Sequence, residues 1–426
     1  MERTPRVGRL RRGVPPALHH RDFAFLWVAI VTMGLAGQMA AVAVGWQVYS
    51  ISGDPLHLGL IGLAEFLPLP LLAIPAGALA DRVSRRLVLA AALVLDGCVA
   101  LLLVAVTAAG ARQLWPFLAL ALTSGVAGAI GSPAARALPP TLVPTELLAG
   151  ALAIRSVGAQ AAVVTGPALG GLLFALRPEL VYATAAALFA VAFVSALAIR
   201  PRAGAAARVA GAEPAPRLAS LLAGVRFVRP TPILFGAILL DLFAVLFGGA
   251  VALLPLFAQD ILHTGPVGLG VLRSAPAVGA VVAGLILTRR PLRAPAGRTL
   301  LVVVAVFGGS MIVFGLSQWY AVSLAALAVS GFADMYSMNI RSTTVALVTP
   351  DELRGRVVAV EMVFISASNE LGAFESGVAA ALVGAVPAVV LGGAATVLIA
   401  AAWPRFFPEL ARIGRLEDLR PVRARS

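Results

Sequence analysis

Long apolar segments alternate with short polar breaks along the whole chain. Most of the apolar segments reach about 20 residues, the length that an α-helix needs to cross the hydrocarbon core of a bilayer. The breaks are rich in glycine, proline or arginine, which end helices or remain at a membrane surface. The pattern predicts an all-α polytopic membrane protein with twelve transmembrane helices, near residues 23–50, 57–80, 87–110, 115–138, 152–175, 179–200, 231–258, 266–288, 299–317, 320–344, 356–384 and 386–404.

The composition fits a membrane protein better than a soluble one. Hydrophobic residues make up 60% of the chain and charged residues 12%, whereas soluble domains carry roughly 25% charged residues. The net charge of +13 comes from arginine, because the chain contains no lysine. Arginines beside apolar segments indicate basic loops and contacts with membrane lipids rather than a nucleic-acid site.

The sequence lacks the residues that several other kinds of site require. Cys98 is the single cysteine, which excludes an intrachain disulfide. The chain has no GxxxxGK[ST] loop, so we do not expect it to drive transport with ATP. The four histidines show no metal-binding spacing, and we expect neither a metal nor a cofactor.

The arginines are distributed unequally between alternate loops. Thirty of them fall in the N-terminus and every second loop after it, whereas the opposite loops hold only Arg112 and Arg177. The remaining one, Arg273, falls inside the predicted helix 8. Because positive residues collect on the cytoplasmic side, we expect both termini in the cytoplasm and the protein in the cell membrane.

Polar segments divide the chain into five parts. A basic N-terminal tail (1–22) precedes a six-helix segment (23–200), and a linker (201–230) separates it from a second six-helix segment (231–404) and a basic C-terminal tail (405–426). Within the linker, apolar residues at helical spacing beside arginines predict a short amphipathic helix on the membrane surface.

The two six-helix segments share residues at a common offset of 206 positions, close to half of the chain. Helical bundles repeated in parallel are typical of transporters, whose substrate site lies between the repeats. The matched pairs are Pro144 and Pro350, Glu146 and Glu352, Leu147 and Leu353, Gly166 and Gly372, and Gly171 and Gly377.

Two short motifs resemble signatures of the major facilitator superfamily. The first is Gly77-x-Leu79-Ala80-Asp81-Arg82-x-x-Arg85-Arg86, which resembles the family's loop between helices 2 and 3. The second is Gly166-Pro167-Ala-Leu-Gly170-Gly171, which is similar to the helix-5 element of its exporters. Further stretches, at 131–140, 142–148, 353–357 and 368–377, resemble the enterobactin-exporter-like branch of the family.

The resemblance implies roles for these motifs. Gly77, Asp81, Arg82 and Arg85 would form a cytoplasmic gating loop that holds the outward-open state. Independently, the Asp81 carboxylate precedes a helix whose positive end favours it. Gly166, Pro167, Gly170 and Gly171 are equally consistent with close helix packing and with gating. We also expect the protein to act as a monomer.

Charged residues inside the predicted helices are candidates for proton coupling, because a charge at mid-bilayer is costly unless it faces a cavity or a partner. The resemblance places helices 1, 4, 7 and 10 around the cavity. It therefore favours Asp241 and Asp334, with Gln38 as a polar companion on helix 1. Asn369 and Glu370 on helix 11 are the next candidates.

The remaining charges have alternative interpretations. Asp96 also falls near mid-membrane, whereas Glu65, Arg273 and Glu375 lie nearer the outside. Glu370 and Glu375 are about 140° apart around a helix, so both cannot face one narrow site. Either of them is a candidate partner of Arg273, while Glu361 is expected to pair with a cytoplasmic arginine.

The sequence favours a secondary active transporter that exports a small organic molecule, siderophore-like or drug-like, in exchange for protons by alternating access. An importer of a small metabolite or a drug-efflux protein is the nearest alternative. A membrane-embedded enzyme would need convergent catalytic groups or a soluble insert, and neither is visible. A passive channel or receptor-like scaffold would show no link between a substrate gradient and proton flux.

Overall fold

The computed structural model describes residues 15–72, 83–200, 218–290 and 294–422. Within these ranges twelve helices are long and apolar enough to cross a membrane. They are α1 Arg21–Ser52, α2 Pro55–Leu72, α3 Arg85–Ala108, α4 Trp115–Ala137, α5 Thr145–Leu176, α6 Pro178–Ala198, α7 Pro232–Ile261, α8 Gly265–Arg289, α9 Ala296–Leu316, α10 Tyr320–Val348, α11 Asp351–Val383 and α12 Ala385–Phe406.

Shorter helices lie outside the spans. They are Pro16–His19, Pro139–Leu142, Leu218–Val228, Pro408–Ala411 and Leu416–Asp418. We call Leu218–Val228 the linker helix. It lies where an amphipathic helix is predicted, and it packs against α11 with Gly224 facing the Arg356 carbonyl oxygen.

Local sequence sets the ends of several spans. Lipid offers no hydrogen-bond partner to backbone N–H and C=O groups, so a membrane span forms these bonds within its own helix. The groups at the two ends of each helix need other partners. Asp54 begins α2 by accepting a hydrogen bond from the Leu56 backbone N–H at 2.9 Å. Gly53 closes α1 in the left-handed conformation at φ 63°, which glycine adopts without a Cβ penalty.

Leaving aside the end of α2, which borders residues outside the described ranges, the largest shifts from the predicted bounds are two early helix starts and one late helix end. α5 starts at Thr145 rather than 152, α11 starts at Asp351 rather than 356, and α10 continues to Val348 rather than 344. Acidic residues in the first turns of α5 and α11 are favourable at a helix N-terminus. Arg155 and Arg341, counted among the loop arginines, therefore lie inside helices.

α7 is interrupted, whereas a single continuous helix is predicted near 231–258. Regular α-helix runs from Pro232 to Gly248, a 3₁₀ turn follows at Ala250–Leu253, and a π-helical turn ends the span at Phe257–Ile261. Such irregular turns change which side chains face a neighbouring helix.

The helices form two six-helix bundles, α1–α6 and α7–α12. The bundles meet along two extensive interfaces, one between α5 and α8 and the other between α2 and α11. The 206-residue offset relates α5 to α11 and α2 to α8, so the two interfaces are equivalent under the internal repeat.

The repeated glycines occupy equivalent contacts. A Cβ at Gly171 would collide with the Pro266 carbonyl oxygen of α8, and one at Gly377 would lie 2.9 Å from the Gly59 Cα of α2. Within each bundle, Gly166 packs on Gln38 of α1 and its repeat partner Gly372 packs on α7. The sequence repeat therefore corresponds to close helix approach, which small residues permit.

The two membrane faces of the molecule differ. We call the face where α1 begins and α12 ends the terminal face, and the opposite one the distal face. At the distal face the Tyr49 hydroxyl donates to the Asp260 carboxylate, and the Gln259 amide donates to the Trp46 carbonyl oxygen at 3.2 Å. Toward the terminal face, a cavity of about 940 Å³ separates Val157 of α5 from Thr288 of α8.

The segment after α12 folds back onto the second bundle. Ile413 and Gly414 accept hydrogen bonds from the first backbone N–H groups of α9, at 3.1 and 2.7 Å. Val422 donates to the Val348 carbonyl oxygen at 2.9 Å. Part of the predicted basic tail is thus a docked segment, since Leu410 is also buried in the core of this bundle.

Candidate functional site: a charged cavity between the bundles

Two adjoining cavities occupy the middle of the molecule. The N-terminal cavity, of about 390 Å³, is lined mainly by α1, α3 and α4. The interface cavity, of about 510 Å³, is lined by α1, α2, α7 and α11. Glu65, Arg273 and Glu370 line both of them.

Four charged side chains, which we call the central cluster, lie around these cavities: Glu65, Asp96, Arg273 and Glu370. From the rise of an α-helix, they lie about 12–20 Å along their helices from the distal ends. The cluster joins the two bundles, because Glu65 and Asp96 belong to the first and Arg273 and Glu370 to the second. Arg273 interacts electrostatically with both glutamates.

Glycines allow the helices to bring the glutamates together. A Cβ at Gly125 of α4 would collide with the Glu65 carbonyl oxygen, so glycine lets α2 lie close to α4. A Cβ at Gly62, one turn before Glu65, would lie 3.6 Å from Oε2 of Glu370. The Glu370 carboxylate therefore reaches across the α2–α11 interface.

The helix-5 motif positions Arg273 indirectly. A Cβ at Gly270 would collide with the Pro167 carbonyl oxygen, and Gly270 lies one helical turn before Arg273. Gly170 packs on the Met39 backbone of α1. Gly166 and Gly170 therefore pack within the first bundle, and Pro167 and Gly171 meet the second.

The predicted polar companions also reach the cavities. Gln38 lines the N-terminal cavity. Asn369 lines the interface cavity, and its side-chain amide donates to the Ile365 carbonyl oxygen at 2.8 Å. α11 brings Glu370, rather than Glu375, into the same cavities as Arg273.

Asp241, the first predicted coupling candidate, lies in an ion pair. Its Oδ2 is 2.7 Å from a guanidinium nitrogen of Arg341, and the two side chains are 8% and 5% exposed. The Arg341 Nε also donates to the Ser337 hydroxyl at 3.2 Å. α7 therefore turns the Asp241 carboxylate toward α10, and Asp241 is not among the residues that line the two central cavities.

Asp334 and Glu361 complete a second group of charges, which we call the inner cluster together with Asp241 and Arg341. Arg341 interacts electrostatically with both of these carboxylates. Asp334 is exposed on α10, and Glu361 is half-buried on α11. All four residues belong to the second bundle.

The predicted gating loop is only partly visible. Gly77, Asp81 and Arg82 lie outside the described residues. Arg85 begins α3, and its guanidinium donates to the Ala137 carbonyl oxygen at the end of α4 at 3.1 Å. This contact lies within the first bundle, so it does not link the two bundles.

Sequence reasoning did not select Glu65 or Asp96 as site residues. Glu65 appeared too near the outside, and the helices expected around the cavity did not include α2 or α3. The usable signal was the charge of the two side chains in otherwise apolar spans, because such residues tend to face a cavity or a partner. Their convergence follows from the packing of α2 and α3 against α4.

Comparison with known proteins agrees with this architecture. A family model described as "Transmembrane secretion effector" matches residues 14–417. The chain is 28% identical over 346 residues to the enterobactin exporter EntS of Shigella dysenteriae serotype 1 (strain Sd197), which covers 79% of this chain and 78% of that protein. The enterobactin exporter of Escherichia coli O139:H28 matches to the same extent.

Solved structures share the fold at low sequence identity. The nucleoside transporter NupG superposes with a TM-score of 0.72 at 14% identity, covering 91% of this chain and 99% of that one. A bacterial homologue of the iron transporter ferroportin, in an inward-facing state, gives 0.69 at 19% identity, covering 92% and 98%. The chain therefore belongs to the transmembrane secretion effector family of the major facilitator superfamily, and it is a multi-pass membrane transporter rather than an enzyme.

Proposed function

We propose that this protein exports a small organic molecule from the cytoplasm in exchange for protons, by alternating access between its two bundles. The observation that carries the proposal is the central cluster, in which two glutamates and one arginine from different bundles line the same cavities. In this proposal the terminal face is cytoplasmic and the protein acts as a monomer in the cell membrane, surrounded by lipid.

The charges of the central cluster suit proton exchange. A single guanidinium can neutralise only one of the two glutamates that interact with it. The other carboxylate, in a low-dielectric setting, is stabilised by a proton or by a cationic ligand. The charges of the central cluster are therefore suited to binding and releasing protons.

The distribution of the cluster over two bundles links its charge to motion. Glu65 lies on α2 of the first bundle, whereas Arg273 and Glu370 lie on the second. When the bundles rock, the distance from Arg273 to Glu65 changes while Arg273 and Glu370 move together. A proton on Glu370 leaves Arg273 to pair with Glu65 across the bundles, whereas ionised Glu370 pairs with Arg273 within one bundle, so proton binding at Glu370 favours one arrangement of the bundles over the other.

The shape of the molecule supports alternating access. Direct hydrogen bonds join the bundles at the distal face, and the largest described cavity lies toward the terminal face. This corresponds to an inward-facing arrangement. The arginine-rich loops on the terminal side support its cytoplasmic location.

Two observations support export rather than import. The matched relatives are enterobactin exporters, and the helix-5 motif lies at the interface between the bundles, next to α8. A siderophore-like or drug-like molecule is the corresponding substrate class.

The test compares metabolites in the medium and in the cells of the native organism, with and without this protein. We expect a compound to accumulate inside the deletion strain and to be released when the wild-type protein is restored. A proton uncoupler should abolish the release. Glu409→Gln, an exposed glutamate in the C-terminal segment, is the matched control for carboxylate substitutions.

Two results would overturn the proposal. If the deletion changes uptake only, export is wrong. If release by the wild-type protein continues unchanged with the uncoupler, proton coupling is wrong.

A further inference from the structure

Asp96 is the member of the central cluster that the proton exchange does not use. It lies on α3 and lines the N-terminal cavity, and one carboxylate oxygen accepts a hydrogen bond from the Ser124 hydroxyl of α4 at 2.9 Å. This bond fixes the carboxylate, but a neutral hydroxyl does not balance its charge.

The environment of Asp96 differs from that of the two glutamates. Arg273 interacts electrostatically with Glu65 and Glu370, whereas Ser124 is the group among the described residues that favours the charged form of Asp96. Glu65 interacts electrostatically with Asp96, and it adds negative charge. The N-terminal cavity is therefore lined by three carboxylates, those of Glu65, Asp96 and Glu370, and by a single arginine, Arg273.

Apart from Gln38, Ser124 and Ser132, the other walls of the N-terminal cavity are apolar and aromatic. Phe117 and Phe189 stand among aliphatic side chains from α1, α3 and α4. A cavity of about 390 Å³ is within the range of small-molecule sites. Aromatic rings can also attract a cation through their faces.

We propose that Asp96 binds the cationic group of the transported molecule, a protonated amine or another organic cation, while the apolar walls bind an apolar body. This inference rests on the proposed function, because it names the class of molecule that the transporter moves. A cation supplies the charge that Asp96 lacks, and the Ser124 hydrogen bond holds the carboxylate toward it. An anionic molecule would meet three carboxylates and only one arginine in the same cavity.

The test measures binding of tetraphenylphosphonium, a lipophilic cation, to the purified full-length protein in detergent. Triphenylphosphine oxide, which is neutral and of similar shape, is the comparison ligand. We expect saturable binding of the cation to the wild-type protein and at least tenfold weaker binding of the neutral compound.

Variants test whether Asp96 is the residue that binds the cation. Asp96→Asn should weaken binding of the cation at least tenfold and leave binding of the neutral compound unchanged, and Asp96→Glu should keep the preference for the cation. Asp351→Asn, at the exposed start of α11, is the matched control and should bind as the wild type does. The thermal midpoint of each variant checks its folding.

Three results would overturn the inference: no cation binding by the wild type, equal binding of the two compounds by the wild type, or unchanged cation binding in a folded Asp96→Asn variant. The first two need no variant. If uncoupler-sensitive release of a neutral or anionic metabolite is observed beside any of these results, only the substrate class is wrong. If release is not proton-dependent, the proposed function itself is wrong.

Discussion

The central and inner clusters contain the same kinds of charged residue but differ in how they are arranged. In the inner cluster, Asp241 and Arg341 form a buried ion pair at 2.7 Å within one bundle. In the central cluster, Glu65, Arg273 and Glu370 come from both bundles and line cavities. If the bundles rock as proposed, the inner cluster keeps all its partners, whereas the distance from Arg273 to Glu65 in the central cluster changes.

This difference separates two uses of intramembrane charge. A buried pair within a rigid bundle satisfies both charges and leaves neither of them available to a ligand. Charges that line a cavity between mobile bundles can exchange partners with protons or substrate. A charged residue in a transmembrane helix is therefore informative only once its partner and its bundle are known.

The largest expected effect on transport is at Glu370. Glu370→Gln should reduce proton-coupled release to the level of the deletion strain, because the amide cannot take up and release the proton. The protein should remain folded, since the residue lines a cavity. The ratio of compound in medium and cells measures release, with Glu409→Gln as control. Wild-type release by Glu370→Gln would remove this residue from the coupling mechanism.

The largest expected effect on stability is in the inner cluster. Asp241→Asn leaves Arg341 buried without its counter-charge, which costs about 3–5 kcal/mol. Thermal unfolding in detergent should show a clear loss of stability in this variant. Replacing both partners, as Asp241→Leu with Arg341→Met, should recover most of it. A fully stable Asp241→Asn variant that has lost transport would instead return Asp241 to the coupling candidates.

A smaller effect is expected at the interface between the bundles. Gly171→Val would insert a side chain against the Pro266 backbone of α8, and such overpacking costs about 1–3 kcal/mol. The added side chain should hinder closure at the distal face. We therefore expect a clear slowing of release and only a small fall in the thermal midpoint. Gly309→Val, within α9 and with open space around the residue, tests whether any glycine substitution has the same effect. Equal slowing in both variants would contradict a specific role of the interface.

The smallest effect is expected at Glu361. This half-buried residue interacts with Arg341 only at a distance, while Asp241 holds Arg341 directly. Glu361→Gln should change stability by less than about 1 kcal/mol and leave release near the wild-type level. A loss of release comparable to that of Glu370→Gln would show that the inner cluster also takes part in coupling.

Some tertiary contacts were already visible in the sequence. The pairs Gly166 and Gly372, and Gly171 and Gly377, were matched by their common offset, and the structure places each pair in equivalent helix contacts. Glycine is informative here because close backbone approach admits no side chain. Glu370 and Gln38 were likewise predicted for the site, and both line the central cavities.

Other predictions failed for a common reason. Asp241 was expected in the cavity, and Arg341 was counted with the loops, yet they form an ion pair. The hydrophobic pattern ended helix 10 at 344 rather than at Val348, and Arg341 near that end was counted with the loop that follows. Glu65 was passed over because its depth along α2 does not reveal that α4 and α11 pack beside it.

The sequence by itself determined the class of the protein: twelve apolar spans, two related halves and arginine-rich loops on one side. These properties follow from local hydrophobicity and charge. The composition of each segment decides whether that segment spans the bilayer and on which side its flanking loops lie. Only the tertiary structure decided which charges are paired and which line a cavity. That outcome depends on the rotation of each helix about its axis and on the break in α7, and both are set by packing against neighbours distant in sequence.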